Sequence, residues 1–163
     1  MVFVTVGTHE QPFDRLVKAI DDLVAGGGFG DEEVFVQTGY CVYEPAHCEW
    51  SRFVPAPEMR GLMEAADVVV THGGPSSFVE AMAAGKAPVV VPRYERYGEH
   101  VNDHQEAFVR LVAERQGGIV PVYDIADLAG AIEEAHRLSA LGTGFTSHNA
   151  EFCEGLRERI ERL

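Results

Sequence analysis

The chain repeats a pattern of short apolar runs separated by longer stretches of mixed residues. The runs are rich in valine, are bounded by glycine or proline and are too short for helices, so they predict buried strands at 2–6, 34–38, 50–54, 68–70, 87–91 and 119–122. Between the runs, apolar residues recur at every third or fourth position, which predicts helices at about 13–25, 58–65, 75–85, 101–115 and 124–138. This alternation predicts an α/β fold, a Rossmann-like parallel sheet flanked by helices.

The same spacing predicts which helical residues face the core. In the first, second and last helices these are Phe13, Leu16, Val17, Ile20 and Leu23, then Met59, Leu62 and Met63, then Ile125, Leu128, Ile132 and Ala135. In the two helices between them they are Phe78, Val79 and Met82, and Val101, Phe108, Val109, Leu111 and Val112.

The length of 163 residues fits one domain, which we assign to 1–140, followed by a linker and a C-terminal helix over 141–163. The last segment carries residues at helical spacing that predict an amphipathic helix: Phe145, His148, Phe152, Leu156 and Ile160. This helix either packs on its own domain or contacts a partner chain.

The candidate chemistry begins where the strand at 68–70 meets the turn formed by His72, Gly73 and Gly74. Two glycines let the backbone approach a ligand closely, and the proline at position 75 suits the first position of a helix. The N–H groups of the first helical turn, which carries Ser76 and Ser77, form an anion site suited to phosphate.

Glu80 follows these serines by one helical turn, on the same face. A carboxylate there is placed to accept hydrogen bonds from sugar hydroxyls, so we assign phosphate to the turn and ribose to Glu80. The alternative is a tight turn without a ligand, because neither G-x-G-x-x-G nor G-x-x-x-x-G-K-[ST] is present.

Two further segments should reach the same edge of a parallel sheet. The loop that begins with Gly7, Thr8 and His9 follows the first strand, and His9 is a candidate proton acceptor or a hydrogen-bonding surface residue. Polar residues crowd the start of the helix at about 101–115, either as caps or as ligands of a polyhydroxylated group: Asn102, Asp103, His104 and Gln105. Arg93 and Arg96 are the nearest cations, as phosphate partners or as solvated loop charges.

Composition excludes several function classes. A formal net charge of −13 argues against nucleic-acid binding and against direct docking on an anionic lipid surface. The chain has no long apolar run, and the first residue leads directly into a strand, so we expect a cytoplasmic protein. Cys41, Cys48 and Cys153 fit reduced thiols, and the spacing of Cys41, His47 and Cys48 fits no usual zinc site, so no metal is expected.

Three blocks of the sequence resemble glycosyltransferase family 28, whose C-terminal half binds the donor in GT-B enzymes: MVFVTVGTHEQPFDRLVKAIDDL, THGGPSSFVEAMAAGKAPVVVPR and VNDHQ. The resemblance covers about residues 1–135. It is strongest to the small catalytic subunits of two-chain transferases, the dolichol-pathway enzyme and bacterial exopolysaccharide transferases.

The resemblance implies the donor-binding half of a hexosyltransferase that acts on a UDP-sugar and a lipid-linked acceptor. It implies a membrane-anchored acceptor-binding partner, inversion at the sugar, and no cofactor or metal. The isolated chain is then expected to form a homo-oligomer, and the protein to reach the inner face of the membrane through its partner.

The resemblance also assigns roles to residues. Phe53 and Val54 contact the uracil, or form part of the core. The loop at Gly7 surrounds the diphosphate and donor sugar, and the sugar lies against Arg93, Asn102, His104 and Gln105. The catalytic base is His9 or a residue of the partner. The alternatives are a non-catalytic nucleotide-binding scaffold and, less well supported, a UDP-sugar epimerase, which needs two Rossmann-like halves.

Overall fold

Six short parallel strands form one sheet at the centre of the computed structural model, which describes residues 1–141. In chain order the strands are β1 (Val2–Thr5), β2 (Val34–Gln37), β3 (Glu49–Ser51), β4 (Val68–His72), β5 (Val89–Val91) and β6 (Val120–Pro121). Their order across the sheet is β3-β2-β1-β4-β5-β6, so the chain leaves β1 in one direction and β4 in the other. The Rossmann-like prediction is confirmed.

Within residues 1–141, five helices cover both faces of the sheet: α1 (Asp14–Ala25), α2 (Ala56–Ala65), α3 (Pro75–Ala83), α4 (His104–Arg115) and α5 (Leu128–Ala140). Short 3-10 turns at Glu95–Tyr97 and Ile125–Asp127 precede α4 and α5. Asp124 accepts the N–H of Ala126 at 3.0 Å and so starts the second of these turns.

The alternation of side chains along the strands divides the core between the two faces. Val2 and Val4 of β1 pack with α1 and α5 on one face. Phe3 points to the opposite face, where it packs with Met63 of α2 and Ala81 of α3. A further cluster on that face joins α3 to α4, and both faces of β1, β4 and β5 are therefore buried.

The prediction that a residue faces the core is wrong at three positions. Val79 and Leu111 are exposed, because the turns of α3 and α4 that carry them bury Phe78, Ala81, Val109 and Val112 instead. Val101 lies before α4 begins and is also exposed. The third strand is shifted as well: it spans Glu49–Ser51, so Phe53 and Val54 belong to the loop after it.

The predicted C-terminal helix, with Phe145, His148, Phe152, Leu156 and Ile160, and the thiol of Cys153 lie outside the described residues. Cys41 and Cys48 are free thiols, and burial raises the pKa of each to about 11. Within residues 1–141, no helix has both the length and the apolar character needed to cross a membrane.

Candidate functional site

A cavity of about 430 Å³ opens at the carboxyl ends of β1 and β4, where the strand order reverses. Open α/β sheets bind ligands at this position, because the loops after the two strands diverge and leave a crevice. It is lined by Thr5, Gly7, Thr8, His9, Met59, Met63, His72, Ser76, Ser77, Glu80, His100 and Gln105. The fold thus brings together residues from four separate segments of the chain.

Helix α3 begins at the mouth of this cavity. Its first residue is Pro75, and Gly74 before it provides no side-chain cap for the N–H groups of the first turn. Ser76 and Ser77 line the cavity beside these groups. The positive end of the helix dipole and its unsatisfied donors therefore face a space in which an anion fits.

Glu80 lines the same cavity one turn further along α3 and is only partly buried. Among residues 1–141, no ion pair or side-chain hydrogen bond engages its carboxylate. Its oxygens are free to accept hydrogen bonds from hydroxyl groups of a ligand.

The imidazole of His72 lies between the two glycine turns that border the cavity. Gly7 has a φ of 75°, and a Cβ at Gly7 or Gly74 would overlap the His72 ring. Gly73 is crowded from the other side, where a Cβ would lie 3.1 Å from the Gln105 side chain. Both turns therefore need glycine because of what packs on them.

Burial, together with the positive charge of Arg93, lowers the pKa of His72 to about 3. The ring is neutral at physiological pH, and its Nδ1 is buried without a hydrogen-bond partner in the described part of the chain. His72 thus contributes shape to the floor of the cavity and no charge.

A buried polar network fixes the backbone of the first loop. The hydroxyl of Thr5 donates to Oε1 of Gln37 at 2.5 Å, and Nε2 of Gln37 donates to the carbonyl of Gly7 at 3.1 Å. The N–H of Gly7 in turn donates to the Thr5 hydroxyl at 3.2 Å. Because every member is paired within the protein, the network holds Gly7 rigidly beside the cavity.

Arg93 is buried, so the expectation of a solvated loop charge is wrong. Its guanidinium donates to the carbonyls of Val6 at 2.8 Å, Gln11 at 2.7 Å and Glu99 at 3.1 Å, and it does not line the cavity. Burial lowers its pKa to about 10. Arg93 therefore ties the loop after β1 to the loop after β5, and a bond to a donor sugar would require the loss of these contacts.

Within residues 1–141, Gln105 is the only member of the polar group around the start of α4 that is both buried and part of the cavity lining. Its Oε1 accepts the N–H of Arg93 at 3.1 Å. Asn102 accepts the N–H of His104, and Asp103 accepts the N–H of Glu95 at 2.8 Å, so these two side chains organise the loop. His104 borders a neighbouring apolar groove with Gly73 and Phe108.

Three histidines form a stack at the edge of the cavity, which we call the histidine stack: His9, His100 and His104. The rings of His9 and His100 are parallel, with centroids 4.6 Å apart, and His104 meets His100 edge-on at 4.6 Å. His100 was not among the site residues predicted from the sequence. Its spacing of four residues from His104 was the available signal, but only the fold brings it to His9.

Phe53 and Val54 lie outside the cavity lining, at the carboxyl side of β3. Phe53 is exposed and packs edge-on against Tyr40, with ring centroids 5.2 Å apart, so it is not a core residue. Contact between Phe53 and a base stays a prediction. In the described part of the chain, no group of three or more metal-ligating side chains is placed to hold a metal ion.

The arrangement suits one type of ligand. The end of α3 and the rigid Gly7 loop offer backbone donors to an anion, and Glu80 offers a carboxylate to hydroxyl groups a few ångströms further on. A molecule that joins a phosphate to a ribose fits both.

The sequence of this chain matches the model of the glycosyltransferase family 28 C-terminal domain over residues 1–134. The chain belongs to this family. No curated protein sequence matches it.

Solved structures of glycosyltransferases share the fold of this family member. The glycotransferase of kitacinnamycin has a TM-score of 0.61 and 24% identity, over 97% of this chain and 42% of that one. The spinosyn forosaminyltransferase SpnP has a TM-score of 0.64 and 16% identity, over 99% of this chain and 42% of that one. The glycosyltransferase VinC, solved in complex with DTDP, has a TM-score of 0.53 and 20% identity, over 85% of this chain and 33% of that one. The chain spans less than half the length of each of these structures.

Proposed function

We propose that this chain binds a UDP-sugar and forms the donor half of a hexosyltransferase. The observation that carries the proposal is the cavity in which the uncapped end of α3, the Gly7 loop and the unpaired Glu80 carboxylate meet. Membership of a glycosyltransferase family supports the reaction class, and a related fold solved with DTDP supports a nucleoside diphosphate as ligand.

In the proposed complex the diphosphate lies against the first turn of α3 and the Gly7 loop, and Glu80 accepts hydrogen bonds from the ribose. Gln105 reaches the donor sugar, with Arg93, Asn102 and His104 supporting the loops around it. Phe53 and Val54 lie against the uracil base. As the glycosidic bond breaks, the β-phosphate gains charge, and preorganised N–H groups stabilise it without a metal ion.

The acceptor oxygen bonds to the anomeric carbon on the face opposite the departing UDP, which inverts that carbon, and a base takes the proton of the acceptor hydroxyl. His9 is the internal candidate for the base. Its Nε2 is 2.9 Å from Oε1 of Gln11, and a proton on Nε2 leaves the lone pair of Nδ1 available. A residue of the acceptor-binding half is the alternative base.

We further propose that a membrane-anchored partner supplies the acceptor half and a lipid-linked acceptor, so that the reaction runs at the cytoplasmic face of the membrane. An isolated donor half leaves its docking face uncovered. We therefore expect the purified chain to self-associate, and light scattering that gives a monomer at high concentration contradicts this expectation.

Calorimetry with UDP, UDP-glucose, UDP-galactose, UDP-N-acetylglucosamine and uridine tests the donor site. Glu80→Ala is expected to weaken UDP and uridine alike, by roughly 10- to 100-fold, because each loses the same ribose hydrogen bonds. Gln105→Ala is expected to weaken the UDP-sugar more than UDP. Glu64→Ala, on the exposed side of α2, is the matched control and leaves all affinities unchanged.

The same measurements separate this function from its alternative. A chain that binds UDP but is indifferent to Glu80→Ala and Gln105→Ala does not hold the ligand in this cavity. A chain that binds none of the ligands is a scaffold that retains the fold.

A further inference from the structure

The loop that carries His100 is held rigidly against the cavity. Glu99 is buried, and its two oxygens accept from Nε of Arg15 at 2.8 Å and from Nη2 of Arg15 at 2.9 Å. The carbonyl of Glu99 accepts from Arg93 at 3.1 Å. Two arginines therefore fix the residue directly before His100, which sets the position of the imidazole beside His9.

The cavity has little fixed positive charge to offer a diphosphate. Among residues 1–141, none of those that line it is a lysine or an arginine, and the guanidinium of Arg93 nearby donates to backbone carbonyls. The dipole of a helix amounts to roughly half a charge, whereas the diphosphate of a sugar nucleotide carries two negative charges. The chain as a whole, at −13, also opposes an anion.

Imidazoles are the side chains of the cavity lining that can become positive: His9, His72 and His100. His72 is enclosed by the glycine turns and stays neutral. His9 and His100 stack at 4.6 Å, so a proton on one ring disfavours a proton on the other. The two rings together therefore carry at most one positive charge.

We propose that the donor diphosphate binds together with one proton, which the imidazole of His100 takes up. The proposal deepens the proposed function and rests on it. The groups that face His100 come from several segments of the chain. They are His9 from the first loop, His72 from β4, Arg93 and Asn102 from the loop before α4, His104 from the first turn of α4, and Glu80 of α3 across the cavity.

In the free protein, the surroundings of His100 disfavour a proton on its ring, so the ring takes up the proton when the ligand binds. Nδ1 of His100 is buried without a hydrogen-bond partner in the described residues. Burial and the neighbouring His104, His9 and Arg93 lower the pKa of His100. A diphosphate in the cavity adds negative charge beside the ring and raises that pKa, which is the linkage between proton and ligand.

Calorimetry tests the proposal with the UDP-hexose that binds most tightly. Each phosphate of a UDP-hexose has one ester bond and one anhydride bond and therefore carries a single fixed negative charge, so the ligand itself does not titrate near neutral pH. Titrations from pH 5.5 to 8.5, in buffers of different ionisation enthalpy, are expected to detect uptake of up to one proton. The logarithm of the affinity then falls by up to about one per pH unit between the pKa of the free His100 ring and the higher pKa of the ring in the complex. Uridine, which has no phosphate, is expected to show neither effect.

Two variants and one control assign the proton. His100→Gln is expected to abolish proton uptake and to leave an affinity that no longer depends on pH, whereas His9→Gln retains the uptake. His136→Gln, on α5 and outside the cavity, behaves as the unaltered protein. Imidazole NMR provides a second readout, in which the pKa of His100 rises when the UDP-hexose is added.

The outcomes separate the two proposals. Binding of the UDP-hexose without proton uptake overturns the inference and leaves the proposed function standing. Uptake that disappears in His9→Gln and persists in His100→Gln also overturns it. Failure of every UDP-hexose, UDP and uridine to bind overturns both.

Discussion

At the scale of single residues, His72 explains why glycine stands at two positions beside the cavity. The ring fills the space in which a side chain at Gly7 or Gly74 would lie. Gly7 also has a positive φ, whereas Gly74 requires glycine through close contact. The glycine pair that marks the turn in the sequence is thus partly a packing requirement of a neighbouring histidine.

Gly7→Ala tests this packing, with Gly27→Ala as a matched control. Both glycines have a φ of 75°, but nothing lies within 4 Å of a Cβ at Gly27. Gly27→Ala is expected to cost about 1 kcal/mol of the free energy of unfolding through backbone strain, and Gly7→Ala about 3 kcal/mol because the ring must also move. Urea denaturation measures both, and equal losses contradict a role for His72.

Arg93 acts at the same scale as a buried connector. Arg93→Met leaves the carbonyls of Val6, Gln11 and Glu99 without their donor, at an expected cost of about 3 kcal/mol in the free energy of unfolding. Arg93→Lys is expected to be equally destabilised, since an ammonium group lacks the planar array of donors with which a guanidinium reaches all three carbonyls. The exposed Arg96, which stacks on Tyr94 at 4.3 Å, is the control, and Arg96→Met is expected to cost less than about 1 kcal/mol. Chemical denaturation of the three variants decides between a connector and a solvated charge.

At the scale of elements, α1 orders the irregular segment between β2 and β3. Asp14 accepts the N–H of Val42 at 2.9 Å, and Asp21, which is buried, accepts the hydroxyl of Tyr43 at 2.7 Å and the N–H of His47 at 2.7 Å. The residues of this segment have no regular spacing of apolar positions. Its order comes from carboxylates on a helix that is distant in sequence.

Asp21 makes this contact dependent on pH. Although burial opposes ionisation, hydrogen bonds from Tyr43, Ala46 and His47 lower the pKa of Asp21 from 3.8 to about 2. Because the pKa is lower in the folded state, the stabilisation is complete above about pH 4 and is lost as the pH falls toward 2. Asp21→Asn is expected to cost about 2 kcal/mol at pH 7 and to flatten the pH dependence of stability between pH 4 and 2.

Asp22 provides the control for this prediction. Its carboxylate is exposed and pairs with Lys18 at 3.3 Å within the same helix. Asp22→Asn is expected to change the free energy of unfolding by less than about 0.5 kcal/mol. Thermal or urea denaturation across pH 2–7 measures both variants, and an unchanged acid transition in Asp21→Asn contradicts the assignment.

The elements themselves followed from local signals, and the errors show where these signals end. Valine runs located β1, β2, β4 and β5, and Pro75 with Gly85, at a φ of 79°, bounded α3 as predicted. Val79 and Leu111 fit a helical period but face solvent. A period fixes which residues share a face, whereas the position of the neighbouring helices decides how much of that face is covered.

At the scale of the whole molecule, the negative charge opposes the ligand that the cavity suits. A dianionic UDP-sugar must approach a chain with a net charge of −13. Salt screens this long-range repulsion more strongly than it screens contacts inside the cavity.

If the proposed function holds, the association rate constant of the UDP-hexose is expected to rise about threefold between 20 and 300 mM salt at pH 8. Stopped-flow fluorescence can follow it through Trp50, the single tryptophan of the chain. Uridine, which is uncharged, is the control. A rate constant that falls with salt means that local positive charge at the cavity outweighs the net charge.

The order of elements, the glycine turn, the start of α3 and the position of Glu80 one turn later could all be predicted from the amino-acid sequence. Each depends on residues close together in the chain, where backbone preferences and helical spacing act directly. The distant residues that join them could not be predicted, because their contacts form only when the chain folds. Parallel strands bring the loops after β1, β4 and β5 to one edge, so that His100 reaches His9 and Arg93 is buried among carbonyls. No local pattern encodes these contacts, because the packing of the sheet creates them.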